Sequence, residues 1–414
     1  MTAFEDHIQW NAVKEVCSRL KGAGFEALLA GGCVRDLIME REPNDFDVAT
    51  DATPDEVEAL FETSIGIGKA FGVIVVPYDG YQIEVATFRE DLEYKDGRRP
   101  EGVKFSTAKA DAQRRDFTVN ALFYDPEKQK VIDFVGGRAD IEKKTLRTVG
   151  HPDHRFDEDK LRILRAIRFA AQLDFDIEPE TLSSITERSH EIAVVSRERI
   201  RDEVFKLLKS PNRRKGLKLM ATTGVLEGAL PELSTKVDDV REKWLATFEN
   251  LESQAELTTD QTALLALFIW PAYQDSLAVL KSLRLDNQLT DVLVNIFRHL
   301  ETVLQPSRVR KGELAYLLTK SFAPSLLLVA DTIARSEALP HELGDRKIWN
   351  EALKAARPDG HTPVQPLVGG KDLIGMGLKP GPKMGDRLHE IFLMQLEGTL
   401  NSRADIELYV KKNQ

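Results

Sequence analysis

Residues Leu28 to Thr50, LLAGGCVRDLIMEREPNDFDVAT, read as strand, glycine turn, helix and strand, and they end with two aspartates one residue apart. Side chains two apart on a strand point to the same face, about 7 Å apart along the chain. On a strand running from Asp45 to Ala49, Asp45 and Asp47 therefore share a face and can hold one or two hard cations between them. An isolated D-x-D is more often a solvated turn or a helix cap. Here the preceding GGCVRD adds weight to the metal reading, because Gly31 and Gly32 let backbone N–H groups and the start of a helix approach an anionic group. Arg35 supplies a charge-assisted contact to phosphate. Two divalent ions need several oxygen ligands, and Glu84, in the strand-like YQIEVATF, is the candidate third carboxylate.

The texture around this stretch defines the fold class. Strand-like runs at Ala27 to Ala30, Asp45 to Ala49, Gly72 to Pro77, Gln82 to Phe88 and Val131 to Phe134 mix with helical segments up to about Leu146. From about Phe156 onward apolar residues recur at helical spacing, interrupted by turn signals such as DIEPE, KSPNR, LPEL and KPGPK. The expected fold is α+β: a mixed sheet with helices, followed by an all-helical remainder. The charged, glycine-containing stretch from Arg89 to Phe105 reads as a mobile excursion between strands.

Length and charge narrow the function classes. A chain of 414 residues exceeds the usual single core, so two or more domains are expected. No apolar run is read as approaching the roughly 20 residues that span a bilayer, and the N-terminal MTAFEDHIQW lacks an apolar signal region, so a cytoplasmic protein without a membrane partner is expected. Cys17 and Cys33 form neither a disulfide framework nor a zinc pattern, which leaves them to packing. His151 and His154, in GHPDHRF, read as solvated rather than metal-bound. A net charge of −10 argues against indiscriminate nucleic-acid binding. The clusters EKKTLR, LRILRAIRF, SRERIR and SPNRRKGLK nevertheless leave room for a locally basic surface.

In EDKLRILRAIRF, about 100° of rotation per residue places Asp159, Arg162, Arg165 and Arg168 along one arc of a helix and Ile163, Leu164 and Ile167 on the other side. An amphipathic helix with intrahelical pairs such as Glu158 to Arg162 explains part of this. Three arginines against two acids leave surplus cation for a triphosphate or an RNA phosphate, and Asp159 and Arg162 offer an acceptor and a donor suited to a nucleobase edge.

Together these residues resemble motif A of the class II nucleotidyltransferases, which comprise the CCA-adding tRNA nucleotidyltransferases, their CC-adding and A-adding relatives, and bacterial poly(A) polymerases. Further matches follow in order. RRDFTVNAL (Arg114 to Leu122) is similar to motif B, DFVGGRADI (Asp133 to Ile141) to motif C, EDKLRILRAIRF (Glu158 to Phe169) to motif D, and SRERIRDEVFKLL (Ser196 to Leu208) to motif E. The resemblance implies a polymerase-β-like head over residues 1–146, a neck with a nucleotide-selecting helix over 147–235, and a helical body and tail that bind tRNA over 236–414. It implies two Mg²⁺ ions on Asp45, Asp47 and Glu84, with CTP and ATP as substrates and the tRNA 3′ end and acceptor/T arm as partner. Gly31, Gly32, Arg35, Arg114 or Arg115, Arg165 and Arg168 would hold phosphates, Asp116 and Asn120 the ribose, and Glu158, Asp159 and Arg162 the base. Lys371, Lys379 and Lys383, beside a glycine- and proline-rich turn, are candidate tRNA phosphate contacts or solvated lysines of a helix hairpin. IGKAFGVIVV (Ile67 to Val76) departs from the basic segment of poly(A) polymerases, and the full-length Arg89 to Phe105 excursion favours CCA addition, with A-addition or CC-addition as alternatives. A catalytically silent RNA-binding protein is the alternative of another class.

Overall fold

In the computed structural model, which describes residues 7–91, 102–249, 260–336 and 345–413, the chain divides into two compact units, Met1–Pro231 and Glu232–Gln414. The first begins with α1 (Trp10–Gly22), β1 (Ala27–Ala30), α2 (Gly32–Ile38), β2 (Asp47–Thr50), α3 (Pro54–Leu60), β3 (Ile65–Gly68), β4 (Val73–Tyr78) and β5 (Tyr81–Thr87). There follow β6 (Arg89–Asp91), β7 (Val103–Phe105), α4 (Ala108–Arg114), β8 (Leu122–Asp125) and β9 (Lys130–Asp133). Seven of these strands form one mixed sheet in the order β3-β4-β5-β2-β1-β8-β9. Only β2 and β5 pair in parallel; the other neighbours are antiparallel. β1 is buried along its whole length, and β5 alternates, with Ile83 and Val85 buried and Gln82 and Glu84 exposed. Phe88 and Phe123 meet edge to face at 5.8 Å in the core beneath, where each fully buried ring contributes about 1.5–3 kcal/mol.

The strand carrying the aspartates is shorter than its sequence implies. β2 begins at Asp47, so Asp45 precedes the strand rather than lying on it. The reason is its partner: the β1–β2 ladder ends at the Ala30–Asp47 pair, because Gly31 turns the chain into α2. The alternation nevertheless continues outward, since Phe46 is buried against His7 and Trp10 while Asp45 and Asp47 keep solvent access. β3 and β8 escaped the sequence reading. β8 is buried on both faces and shows no polar alternation. The flanks of the charged excursion pair as the antiparallel ribbon β6–β7, and residues 92–101 between them lie outside the described residues.

The first unit continues through α5 (Gly137–Glu142), β10 (Thr145–Leu146), α6 (Pro152–Glu158), α7 (Leu161–Leu173), β11 (Asp176–Ile177), α8 (Pro179–Glu187) and α9 (Arg197–Leu208). β10 and β11 form a short parallel pair, so the expected all-helical remainder is interrupted once among the described residues. Asp133 organises the turn into α5 by accepting the N–H groups of Val135, Gly136, Gly137 and Arg138 at 3.0, 2.8, 3.1 and 3.0 Å. Phe169 of α7 packs edge-on to Phe117 at 5.7 Å and ties α7 to the segment between α4 and β8.

The second unit is helical in its described residues. Its Gln261–Ser282 stretch corrects the expectation about apolar runs: its length and mean hydropathy of 1.4 are enough for a membrane span. It is instead an interior segment, broken at Ala272 (φ −103, ψ 21), with every residue from Ala263 to Trp270 buried. The apolar pair Lys311–Leu318 and Ala323–Arg335 is likewise bent, by 115°. Both cysteines are buried and unpaired, as a packing role requires.

Candidate active site

The parallel pairing of β2 with β5 sets Asp47 directly opposite Glu84 on neighbouring strands. Asp45 follows the same alternation two residues before the strand, and its charge acts on Asp47 as that of Glu84 does. Their mutual charge is visible in Asp47, whose carboxyl is pushed up to about 6, first by burial and then by Asp45 and Glu84, with Arg115 pulling the other way. Uncompensated hard oxygens of this kind suit a divalent cation. Among the described residues, no group of three or more His, Cys, Asp or Glu side chains is placed to hold a metal ion by itself, so the pair Asp47 and Glu84 is the candidate. Mg²⁺ in general takes one or two protein carboxylates and completes its shell with water and substrate phosphates.

Gly31 shapes the approach to these acids. At φ +77 it holds a left-handed conformation, its N–H donates to the Leu122 carbonyl at 3.0 Å, and a Cβ there would lie 2.9 Å from Arg115 Nη1. A Gly31→Ala protein is expected to lose about 1–2 kcal/mol of stability and to shift Arg115, which denaturant titration together with nucleotide affinity will show. α2 then begins at Gly32, and its first-turn N–H groups have no intrahelical acceptor.

Arg35 is 5% exposed and is not an arm reaching for solvent. It donates from Nη1 to Asn120 Oδ1 at 2.6 Å and from Nε to Asp36 Oδ1 at 2.9 Å. Asn120 reaches Asp116 at 3.4 Å, and Asp116 binds Arg165 of α7, with Arg165 Nε at 3.0 Å. Burial alone would raise the Asp116 carboxyl, but the charge and hydrogen bonds of Arg165, aided by Arg162 and the Phe117 N–H, hold it down at about 2. The sequence-selected residues Arg35, Asn120, Asp116 and Arg165 thus form one hydrogen-bonded chain. Arg114 and Arg115 converge instead on Asp111: Arg114 Nη2 reaches Oδ1 at 2.6 Å and Arg115 Nη2 reaches Oδ2 at 2.9 Å.

The motif D residues depart from a single helical arc. α6 ends at Glu158 and α7 starts at Leu161, with Asp159 in the break at φ −152, ψ 106. Glu158 pairs with Arg162 across this break, and Arg162 also donates to the carbonyls of Arg155 at 3.2 Å and Arg114 at 3.3 Å. Arg168 is 6% exposed, donates from Nε to Glu203 of α9 at 2.8 Å, and lies over the Phe169 ring. The surplus of cation expected on this helix is therefore largely neutralised, because Asp116 and Glu203 come from other elements. Arg168 faces α9 rather than an open phosphate site.

Sequence reasoning missed Asp36, Asp111, Arg199 and Glu203. Asp111 had a signal, lying three residues before Arg114 on α4 and four before Arg115, which caps that helix. Arg199 and Glu203 lay within the quoted motif E with no role assigned to them. Lys371, Lys379 and Lys383 are exposed in the second unit, around the Gly370–Gly375 helix and the start of Met384–Leu396.

Comparison with known proteins assigns the family. Residues 27–147 match the model of the poly A polymerase head domain, and residues 174–236 match that of the probable RNA and SrmB-binding site of polymerase A. A CCA-adding enzyme of Streptococcus mutans is 34% identical over 403 residues, covering 96% of each chain. The chain belongs to the CCA-adding enzyme family. A second CCA-adding enzyme, from Streptococcus suis, is 33% identical over 96% of this chain and 95% of its own. The crystal structure of the Bacillus stearothermophilus CCA-adding enzyme in complex with CTP superposes with a TM-score of 0.79 at 29% identity, covering 98% of this chain and 97% of that one. Membership of this family makes the chain a metal-dependent nucleotidyltransferase.

Proposed function

We propose that this protein adds C, C and A to the 3′ end of tRNA from CTP and ATP. The tRNA 3′-hydroxyl attacks the α-phosphate of the nucleoside triphosphate, a new phosphodiester forms, and pyrophosphate leaves. The observation that carries this reading is the pairing of Asp47 with Glu84 on the central strands β2 and β5, with Asp45 just before β2, in a chain that is similar over nearly its whole length to CCA-adding enzymes. Asp45, Asp47 and Glu84 would hold two Mg²⁺ ions, which sharpen the attacking hydroxyl and neutralise charge on the triphosphate.

The protein's own groups bind and orient. Gly31 and Gly32 keep the backbone close to the triphosphate, and the partly exposed Arg114, Arg115 and Arg165 present to it the guanidinium donors not taken up by Asp111 and Asp116. Arg35 and Arg168 support this set from beneath. Asp116 and Asn120 orient the ribose from a buried, pre-bonded network. Asp159 and Arg162, with Glu158 behind Arg162, read the base. Cytosine and adenine each present an amino donor beside a ring-nitrogen acceptor, which a carboxylate and a guanidinium complement; uracil and guanine present a carbonyl beside a ring N–H. No protein nucleophile is required. Residues 1–146 are then the catalytic head and 147–235 the neck, while 236–414, through Lys371, Lys379 and Lys383, meet RNA phosphates by position and shape.

Incubating the protein with tRNA transcripts that lack CCA, lack only A, or are complete, with CTP and ATP offered singly and together and with a chelator control, tests the reaction. Addition of A alone to every transcript overturns CCA addition. Base selection has its own test. Asp159→Ala and Arg162→Ala proteins are expected to relax discrimination against UTP and GTP by roughly ten- to a hundredfold, the worth of one or two lost hydrogen bonds. Unchanged base preference with a lowered Tm would make these residues helix-stabilising only.

A further inference from the structure

Arg199 stands one turn before Glu203 on α9 and meets the Asp159 carboxylate as a fork. Its Nη1 lies 3.1 Å from Oδ1 and its Nη2 2.6 Å from Oδ2. The two side chains are only 25% and 15% exposed. Asp159 needs such a partner, because it occupies the break between α6 and α7 and no helical register fixes its side chain. One further bond, from the Leu161 N–H at 3.1 Å, also falls on Oδ1.

We propose that Arg199 is a positioning residue for base selection, holding Asp159 so that Oδ2 presents its remaining acceptor site to the amino group of cytosine or adenine. This rests on the reading that Asp159 meets the base. A carboxylate offers about four acceptor sites, two on each oxygen. Arg199 and Leu161 occupy both on Oδ1, whereas Arg199 takes only one on Oδ2. Planar, two-point contact also fixes the plane of the carboxylate, which a single point charge does not. Glu203 provides the internal comparison. It lies on the same helix and is equally engaged with α7, but it pairs with Arg168 at 2.8 Å and faces Arg165 at 3.8 Å, not Asp159.

The test uses the full chain and a tRNA transcript lacking its terminal nucleotides. Single-turnover addition is measured with each of the four nucleoside triphosphates, beside Tm, for Arg199→Ala, Arg199→Lys, Glu203→Gln and Asp159→Ala. The ratio of UTP and GTP use to CTP and ATP use is expected to rise about tenfold in Arg199→Ala and less in Arg199→Lys, which keeps one donor, while Glu203→Gln keeps the parent ratio. If Arg199→Ala does not fold, the Arg199→Lys ratio decides: a relaxed ratio supports the proposal and a parent ratio overturns it. A parent ratio in Arg199→Ala, with a relaxed one in Asp159→Ala, overturns the positioning role and leaves the base reading standing. A parent ratio in Asp159→Ala removes the base reading and this proposal with it. Equal relaxation in Glu203→Gln and Arg199→Ala traces the effect to loosening of α9 and overturns the fork.

Discussion

An Asp47→Ala protein is expected to bind tRNA like its parent and to transfer nucleotide at less than about a hundredth of the parent rate. Asp47 is the carboxylate set by strand register against Glu84 and crowded by Asp45, so its loss removes the central member of the metal-holding set. The same crowding predicts the effect on stability. A carboxyl pushed up to about 6 is one whose ionised form is disfavoured in the folded chain, so ionised Asp47 opposes folding at neutral pH. Asp47→Ala and Asp47→Asn should therefore melt no lower than the parent at pH 7.5. Added Mg²⁺ should raise the parent Tm more than that of either variant. Transfer above about a hundredth of the parent rate, or loss of activity accompanied by a matching loss of Tm, would refute the assignment.

Asp116→Ala is expected to be strongly destabilising. Asp116 is the carboxylate between Asn120 and Arg165, and its removal leaves Arg165, 30% exposed, with only the more distant Glu203 at 3.8 Å as an acidic partner. Breaking such a pair from one side costs about 3–5 kcal/mol, or a fall in Tm of roughly 6–20 °C for a domain of this size. The dependence on pH follows from the depressed carboxyl. The folded group takes up a proton only near pH 2 while the unfolded one does so at its ordinary value of 3.8, so in that window the unfolded state binds more protons. Its contribution is complete above the ordinary value and fades as pH falls toward 2. Asp116→Asn, which preserves shape, should lack this acid-limb loss. Melting curves between pH 2 and 5 for parent and Asp116→Asn measure it, and parallel acid limbs would count against a stabilising pair.

Much of the head was legible because its signals are local. The strand, glycine turn and helix from Ala27 to Ile38 are written in adjacent residues, and the left-handed Gly31 occupies the place that its glycine pair predicts. The two aspartates were legible as a same-side pair even though the strand starts only at Asp47, because side-chain alternation outlasts the hydrogen-bonded ladder. β8 was not legible, since a strand buried on both faces looks like any short apolar run. Gln261–Ser282 was misread in the opposite sense, as too short an apolar run, although Pro271 marks in the sequence the place where it breaks.

By itself, the sequence determined which chemistry the chain carries: hard carboxylates, glycines near a helix start, arginines in excess along motif D, and a mixed segment followed by a helical one. Those are properties of residue type and spacing, which folding does not change. Only the tertiary structure decided which charges remain available. Strand order put Glu84 opposite Asp47, and helix packing brought Asp116 and Glu203 onto arginines that looked unpaired along their own helix. It also gave Asp159 a partner, Arg199, from forty residues away. Electrostatic neutralisation acts through space at a few ångströms, so it is invisible to any count of charges taken along the chain.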